Sequence, residues 1–219
     1  MGEEVNLMRL YPQSKGRLAE RPEITDDDRR VSREFGFDYF DGDRRYGYGG
    51  FSYHPRFWSD TVRLISDHYG LSEQSSILDI GCAKGFMLAD FREYLPNAKL
   101  RGLDISAYAI DQGNSTVRSD IYVGDAISLP FDDDEFDLVL SINTLHNLDR
   151  SGVIAALGEI DRVSRGAAFI MVDGWKTEDE KLDMKSWVLT AQTMLHASEW
   201  LLLFGEANFK GDYFFWTVS

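Results

Sequence analysis

A chain of 219 residues holds one large domain, or a medium domain with an appendage, and 43% hydrophobic with 13% aromatic residues is enough for a packed core. The formal net charge of −14 and the absence of any Lys/Arg cluster argue against binding nucleic acid or an anionic membrane, since Arg29-Arg30 and Arg44-Arg45 each sit beside aspartates. One cysteine, Cys82, leaves no internal disulfide, and no signal peptide or membrane-length apolar run is visible, so a cytoplasmic protein is expected.

Residues 1–54 mix charges, glycines and aromatics with no sustained period and read as an irregular N-terminal arm or lid; the main domain is expected over 55–219. Trp58, Val62, Ile65 and Tyr69 fall at helical spacing, with Pro55 ahead of them and Gly70 just past the end. Strands and helices then alternate. Strands are expected at Ser76–Ile80, Leu100–Leu103, Ile121–Val123, Phe136–Ile142 and Ala167–Val172, with helices at Phe86–Tyr94, Ala107–Thr116 and Val153–Val163 between them. That alternation predicts an α/β fold, a doubly wound and mostly parallel sheet with helices on both faces. Further on, Ser198 is a candidate cap for a helix through Trp200, Leu203 and Phe204, and Tyr213–Val218 reads as a last strand.

The segment Ile77-Leu78-Asp79-Ile80-Gly81-Cys82-Ala83-Lys84-Gly85-Phe86 carries the strongest chemical signal. A buried strand enters a glycine-flanked turn that opens a helix, at the carboxyl edge where doubly wound sheets bind ligands. The second strand ends Leu103-Asp104-Ile105 and the third Gly124-Asp125-Ala126. An acid roughly 20 positions beyond a glycine turn can accept from both ribose hydroxyls, and Ile105 can cover an adenine face. Any one of these acids alone is more commonly a helix cap or turn residue; three ending successive strands are harder to explain that way.

Over residues 75–175 the chain resembles the class I S-adenosylmethionine-dependent methyltransferases. The resemblance implies that S-adenosylmethionine lies with its methionine part on Asp79, Gly81, Cys82, Ala83 and Gly85, its ribose at Asp104 beside Ile105, and its adenine at Asp125 and Ala126, with Ser141 a further cofactor contact. The approach from Leu129-Pro130-Phe131 to Phe136-Asp137-Leu138-Val139 is similar to the family's as well. Ala83 departs from the glycine common at the middle of the turn. A nicotinamide dehydrogenase fits less well, because Ala83 and Phe86 stand where a pyrophosphate needs glycine.

For the acceptor, the loop Asn143-Thr144-Leu145-His146-Asn147-Leu148-Asp149 supplies His146 as a base or orienting group with Asp149 as partner, or else a histidine that merely hydrogen-bonds in a loop. Asn143 and Asp173 are expected on the same rim as substrate contacts, Asp173 alternatively as a cap. The strip Tyr39–Phe51, with Tyr46 and Tyr48, reads as a lid over the acceptor or as rings packed on the core. No His/Cys spacing suggests a metal site. The reading is a methyltransferase acting on an oxygen or nitrogen of a small metabolite, with a sugar-like one preferred. A non-catalytic cofactor-binding module and a protein methyltransferase are the alternatives.

Overall fold

The computed structural model describes residues 2–12, 23–49 and 52–218. In chain order they form α1 (Asp26–Ser32), α2 (Phe37–Phe40), α3 (Ser59–Tyr69), β1 (Ser76–Ile80), α4 (Phe86–Tyr94), β2 (Lys99–Asp104), α5 (Ala107–Asp111), β3 (Ile121–Val123), β4 (Leu138–Ile142), α6 (Arg150–Val163), β5 (Ala168–Trp175), α7 (Glu178–Trp187), β6 (Leu195–His196), α8 (Ala197–Glu206) and β7 (Asp212–Trp216). Short 3-10 turns occupy Pro55–Phe57, Arg118–Asp120 and Leu145–Asn147.

The strands lie in the order β3-β2-β1-β4-β5, with β7 beside β5 from Phe169 to Asp173 and β6 beside its last two residues, Gly174 and Trp175. Every strand pair among the described residues is parallel. The sequence direction reverses between β1 and β4, which opens a crevice at their carboxyl ends. Burial on both faces explains why β1, β4 and β5 read as continuous apolar runs rather than alternating ones. On one face α6 and α8 bring Leu157, Ile160, Trp200 and Phe204 against Leu78, Val139 and Ile170. On the other, α3 and α4 bring Val62, Ile65, Leu88 and Phe91 against Ile77, Leu140 and Phe169.

The N-terminal region is more ordered than its composition suggested. Thr25 and Asp28 form a capping box at α1, and the Arg45 guanidinium grips the buried Asp28 carboxylate at 2.5 and 2.9 Å. That contact holds Asp28 well below the usual carboxylate range. Ahead of it, Val5 donates to the Tyr213 carbonyl at 2.9 Å, and Leu7 and Met8 are buried among α3, α4 and the sheet. The described part of the expected irregular arm therefore contains two short helices and a segment laid along β7. Helices of seven and four residues are too short to display a hydrophobic period. Gly50 and Phe51 of the expected lid strip lie outside the described residues.

Downstream, several boundaries differ from the expected ones. β5 runs on through Asp173 to Trp175, so Asp173 is a strand residue rather than one that follows a strand. Helix α7, opened by a Thr177–Glu180 capping box, was not anticipated, because its mostly charged sequence buries only Met184 and Trp187. The cap of α8 is His196 with Glu199, and not Ser198. The last strand closes at Trp216 instead of Val218.

Leu7 tests whether the N-terminal segment belongs to the core. It is 1% exposed and does not line the cavity described below. Leu7→Ala is expected to lower the unfolding free energy by about 2–4 kcal/mol in urea titrations. A loss below about 0.5 kcal/mol would mark the segment as a dispensable attachment.

Candidate active site

The turn after β1 is built from left-handed backbone, with φ of 79° at Gly81, 48° at Ala83 and 71° at Gly85. A side chain at Gly81 would overlap Thr144, which packs directly against it. Ala83 adopts a conformation that costs an L-residue about 1–2 kcal/mol, and hydrogen bonds hold it there. Its N–H donates to Asp104 Oδ2 at 2.8 Å, while Ser106 N–H donates to Asp104 Oδ1 at 2.8 Å. Gly81 and Cys82 N–H groups also reach the Leu103 carbonyl, at 2.7 and 3.1 Å. The carboxylate ending β2 thus braces the turn ending β1.

Above this edge lies a cavity of about 640 Å³, within the range of small-molecule sites. Asp79, Gly81, Cys82, Ala83, Asp104, Ile105, Asp125 and Ala126 line it. Ile105 is 56% exposed, an apolar surface at the mouth suited to a flat ring. Two expected cofactor contacts do not reach the cavity. Ser141 is fully buried inside β4, and Gly85 supports the turn from below, against Val117 and Ile121.

The lining is acidic. Asp79, Asp104, Asp125 and Asp173 face it, against two cations, Lys84 and Arg33. Burial, helped by the neighbouring Asp104 charge, pushes the Asp79 carboxyl up to about 8. Burial raises Asp104 as well, against the pull of its two N–H donors. Both cations are engaged. Lys84 Nζ meets Asp41 Oδ1 at 2.5 Å, and Arg33 donates to the Thr190 and Ala191 carbonyls at 3.2 and 3.1 Å. With Tyr108 OH on Asp41 at 2.6 Å and Ser106 Oγ on the Phe35 carbonyl at 2.5 Å, these bonds tie α1 and α2 across the cavity mouth. Lys84 is thus a strut for the N-terminal region.

The lining also carries many aromatic rings, among them Tyr11, Phe57, Trp58, Trp187 and Trp216. His146 and Asp173 sit here, 4% and 5% exposed. Asp173 N–H donates to His146 Nδ1 at 2.9 Å, which fixes the ring proton on Nε2, and Nε2 stands 3.6 Å from Asp173 Oδ2. Neither nitrogen can take a proton while this bond lasts, so the expected base role is corrected to that of a donor and orienting group. Burial lowers the His146 pKa further. Asp149 is not its partner. It caps α6, accepting from Gly152 N–H at 2.7 Å, and lies off the cavity lining. Asn143 lines the cavity in left-handed conformation, φ 55°. Tyr48 lines it too, its hydroxyl accepting from Leu189 N–H at 2.7 Å, whereas Tyr46 does not.

Sequence reading missed Trp187, Thr190, Gln192 and Trp216, because nothing local marks which late residues fold back over the sheet edge. The interleaved aromatics of the last strand were the available signal. Among the described residues no group of three or more His, Cys, Asp or Glu is placed to hold a metal ion. None of their helices is long and apolar enough to cross a membrane.

Fold and site together define a doubly wound ligand-binding domain of the methyltransferase type. Residues 77–166 match the family described as methyltransferase domain. The chain is 32% identical over 144 residues to sterol 4-C-methyltransferase of Caenorhabditis elegans, covering 61% of this chain and 41% of that protein. It is 33% identical over 91 residues to demethylmenaquinone methyltransferase of Roseiflexus castenholzii, covering 40% of this chain and 37% of that protein. It therefore spans less than half the length of these two curated relatives. Among solved structures, the [4+2]-cyclase SpnF shares the fold with a TM-score of 0.58 at 18% identity, over 77% of this chain and 62% of that one.

The Asp79 carboxyl has a consequence for stability. In the unfolded chain an aspartate titrates near about 3.9, and in the fold Asp79 keeps its proton up to about 8. Between these values the folded state binds the extra proton, so stability falls as pH rises. His146, lowered by burial, acts in the opposite sense below its unfolded value of about 6.5. Ligand-free protein is expected to lose stability from about pH 6.5 to pH 8, and Asp79→Asn to flatten that decline in denaturation at stepped pH. An equal slope in the variant would mean that Asp79 is charged throughout.

Proposed function

We propose that this chain transfers a methyl group from S-adenosylmethionine to an oxygen or nitrogen of a small molecule, in the cytosol. The observation that carries the reading is the braced turn beside the acidic edge, with Asp104, Ile105 and Asp125 at the ends of successive strands. The donor set fits the cofactor. Buried carboxylates without a free cation need positive charge, and a ligand bearing a sulfonium and an ammonium supplies it.

When bound, the cofactor supplies a methyl group on a positively charged sulfur. Asp104 would accept from the ribose hydroxyls through lone pairs left by its two backbone bonds. Asp125 would accept from the adenine amine, and Ile105 would cover the ring. The Gly81–Ala83 turn would leave room for the amino-acid tail, with Asp79 facing its ammonium. The struts from Asp41 and Arg33 keep α1 and α2 over the mouth and limit water, which favours an in-line displacement.

The cavity continues beyond this half into the aromatic chamber, which supports an enzyme over a non-catalytic cofactor-binding module. A polyol needs many hydroxyl partners, while Tyr11, Phe57, Trp58, Met171 and Trp216 offer mainly apolar surface. That narrows the sugar-like expectation to an acceptor with few polar groups on an apolar body. The relatives named for a sterol and for demethylmenaquinone fit such a lining. A net charge of −14 weighs against RNA. No specific feature favours a protein acceptor.

Asp104→Ala is expected to weaken S-adenosylmethionine binding at least tenfold in calorimetry, equivalent to about 1.4 kcal/mol. Transfer of a labelled methyl group to a metabolite extract then reports the activity itself. Unchanged affinity in the variant would remove the ribose assignment.

A further inference from the structure

We propose that the acceptor is an amine on a ring-bearing apolar body, and that Asp173 is the group that binds its ammonium and takes its proton. This rests on the reading of the site as a methyltransferase.

The first observation is the state of the Asp173 carboxylate. It is 5% exposed and lines the cavity. Its backbone is fully used, with N–H on His146 Nδ1 at 2.9 Å and carbonyl accepting from Trp200 Nε1 at 2.9 Å. The carboxylate itself accepts no hydrogen bond among the described residues; only His146 Nε2 approaches it, at 3.6 Å. The scaffold therefore locks the residue in place while leaving its charge uncompensated. Burial raises its pKa, and the nearby His146 offsets this only in part.

The second observation is what surrounds it. Asp173 and Trp216 are register partners on β5 and β7, so their side chains leave the sheet on the same face. Burial raises the Tyr39 phenol, and the nearby Asp104 and Asp173 charges add to it. Tyr39 meets Tyr48 edge to face at 6.0 Å, and Tyr48 meets Trp187 at 5.8 Å. All four rings line the cavity. A carboxylate among aromatic rings attracts a cation twice over, by direct charge and by the negative faces of the rings.

An ammonium satisfies both features, and a hydroxyl neither. A hydroxyl brings no charge to offset Asp173, and an aliphatic alcohol is far too weak an acid to yield its proton to a carboxylate. His146 is no alternative base, because its ring proton already sits on Nε2. With an amine the step balances. The ammonium gives one proton to an Asp173 oxygen, and the freed nitrogen lone pair bonds the methyl carbon. The carbon–sulfur pair stays on sulfur, leaving a neutral thioether, and Asp173 passes its proton to solvent as the methylated ammonium departs. Anionic acceptors are excluded by the same acidic lining.

The test pairs phenethylamine with 2-phenylethanol and tryptamine with tryptophol, and adds phenylacetate. Binding is read by calorimetry and by tryptophan fluorescence, since Trp187 and Trp216 line the chamber. S-adenosylhomocysteine is titrated separately. At least one amine is expected to bind the wild-type protein tenfold or more tightly than its alcohol, and phenylacetate not at all. Asp173→Asn is expected to erase the amine's advantage and leave the alcohols unchanged, with S-adenosylhomocysteine bound as before. If no amine outranks its alcohol in the wild-type protein, the proposal is overturned whether or not the variant folds. The same holds if a folded Asp173→Asn protein keeps the amine preference. Failure of S-adenosylhomocysteine itself to bind would instead overturn the methyltransferase reading.

Discussion

The site depends on the carboxylate that ends β2. Asp104 accepts from Ala83 on one oxygen and from Ser106 on the other, and so fixes the turn after β1 to the start of α5. Without that brace, a turn with Ala83 in left-handed conformation has little reason to hold its shape. The brace also buries a charge beside Asp79, creating the unbalanced acidity that a cationic ligand would relieve. One side chain thus links local backbone strain, strand register and ligand preference.

Around this edge the molecule divides its labour between two halves of one cavity. Under the proposed function, the cofactor half would be made by consecutive strand ends, β1 to β3. The acceptor half would be made by distant pieces: the loop after β4, the ends of β5 and β7, the segment after α7, and residues from the N-terminal region. Its shape is held by hydrogen bonds between these pieces, such as Arg33 to the 190–191 carbonyls and His146 carbonyl to the Gln192 and Thr193 N–H groups. The family's shared fold accounts for the first half. The second is built from pieces outside that shared frame, where function is set by the site and not by the fold.

What the sequence reveals follows the same line. The parallel sheet, its helices and the trio Asp79, Asp104 and Asp125 were legible because each rests on a local pattern, a buried run ending in glycine or an acid. Asp149 was misassigned for the same reason: an acid three residues after a histidine looks like a partner, but Asp-x-x-Gly at a helix start is first of all a cap. Ser141, a cofactor contact that the family resemblance implied, lies fully buried inside β4. His146 was correctly placed at the cavity, while its tautomer depends on a backbone N–H 27 residues away, which no local pattern encodes. Leu7, Met8 and α7 were missed because short or sparsely apolar segments find their place only through long-range packing.

The account turns on adenosine lying over the carboxyl edge of β1, β2 and β3, and a crystal structure with S-adenosylhomocysteine tests it most directly. The expected result is both ribose hydroxyls within about 2.5–3.0 Å of Asp104 oxygens, with the ring against Ile105 and the sulfur facing the Asp173 chamber. A ligand seated elsewhere, or an edge kept closed by Phe35 and Tyr39 at saturating ligand, would contradict it.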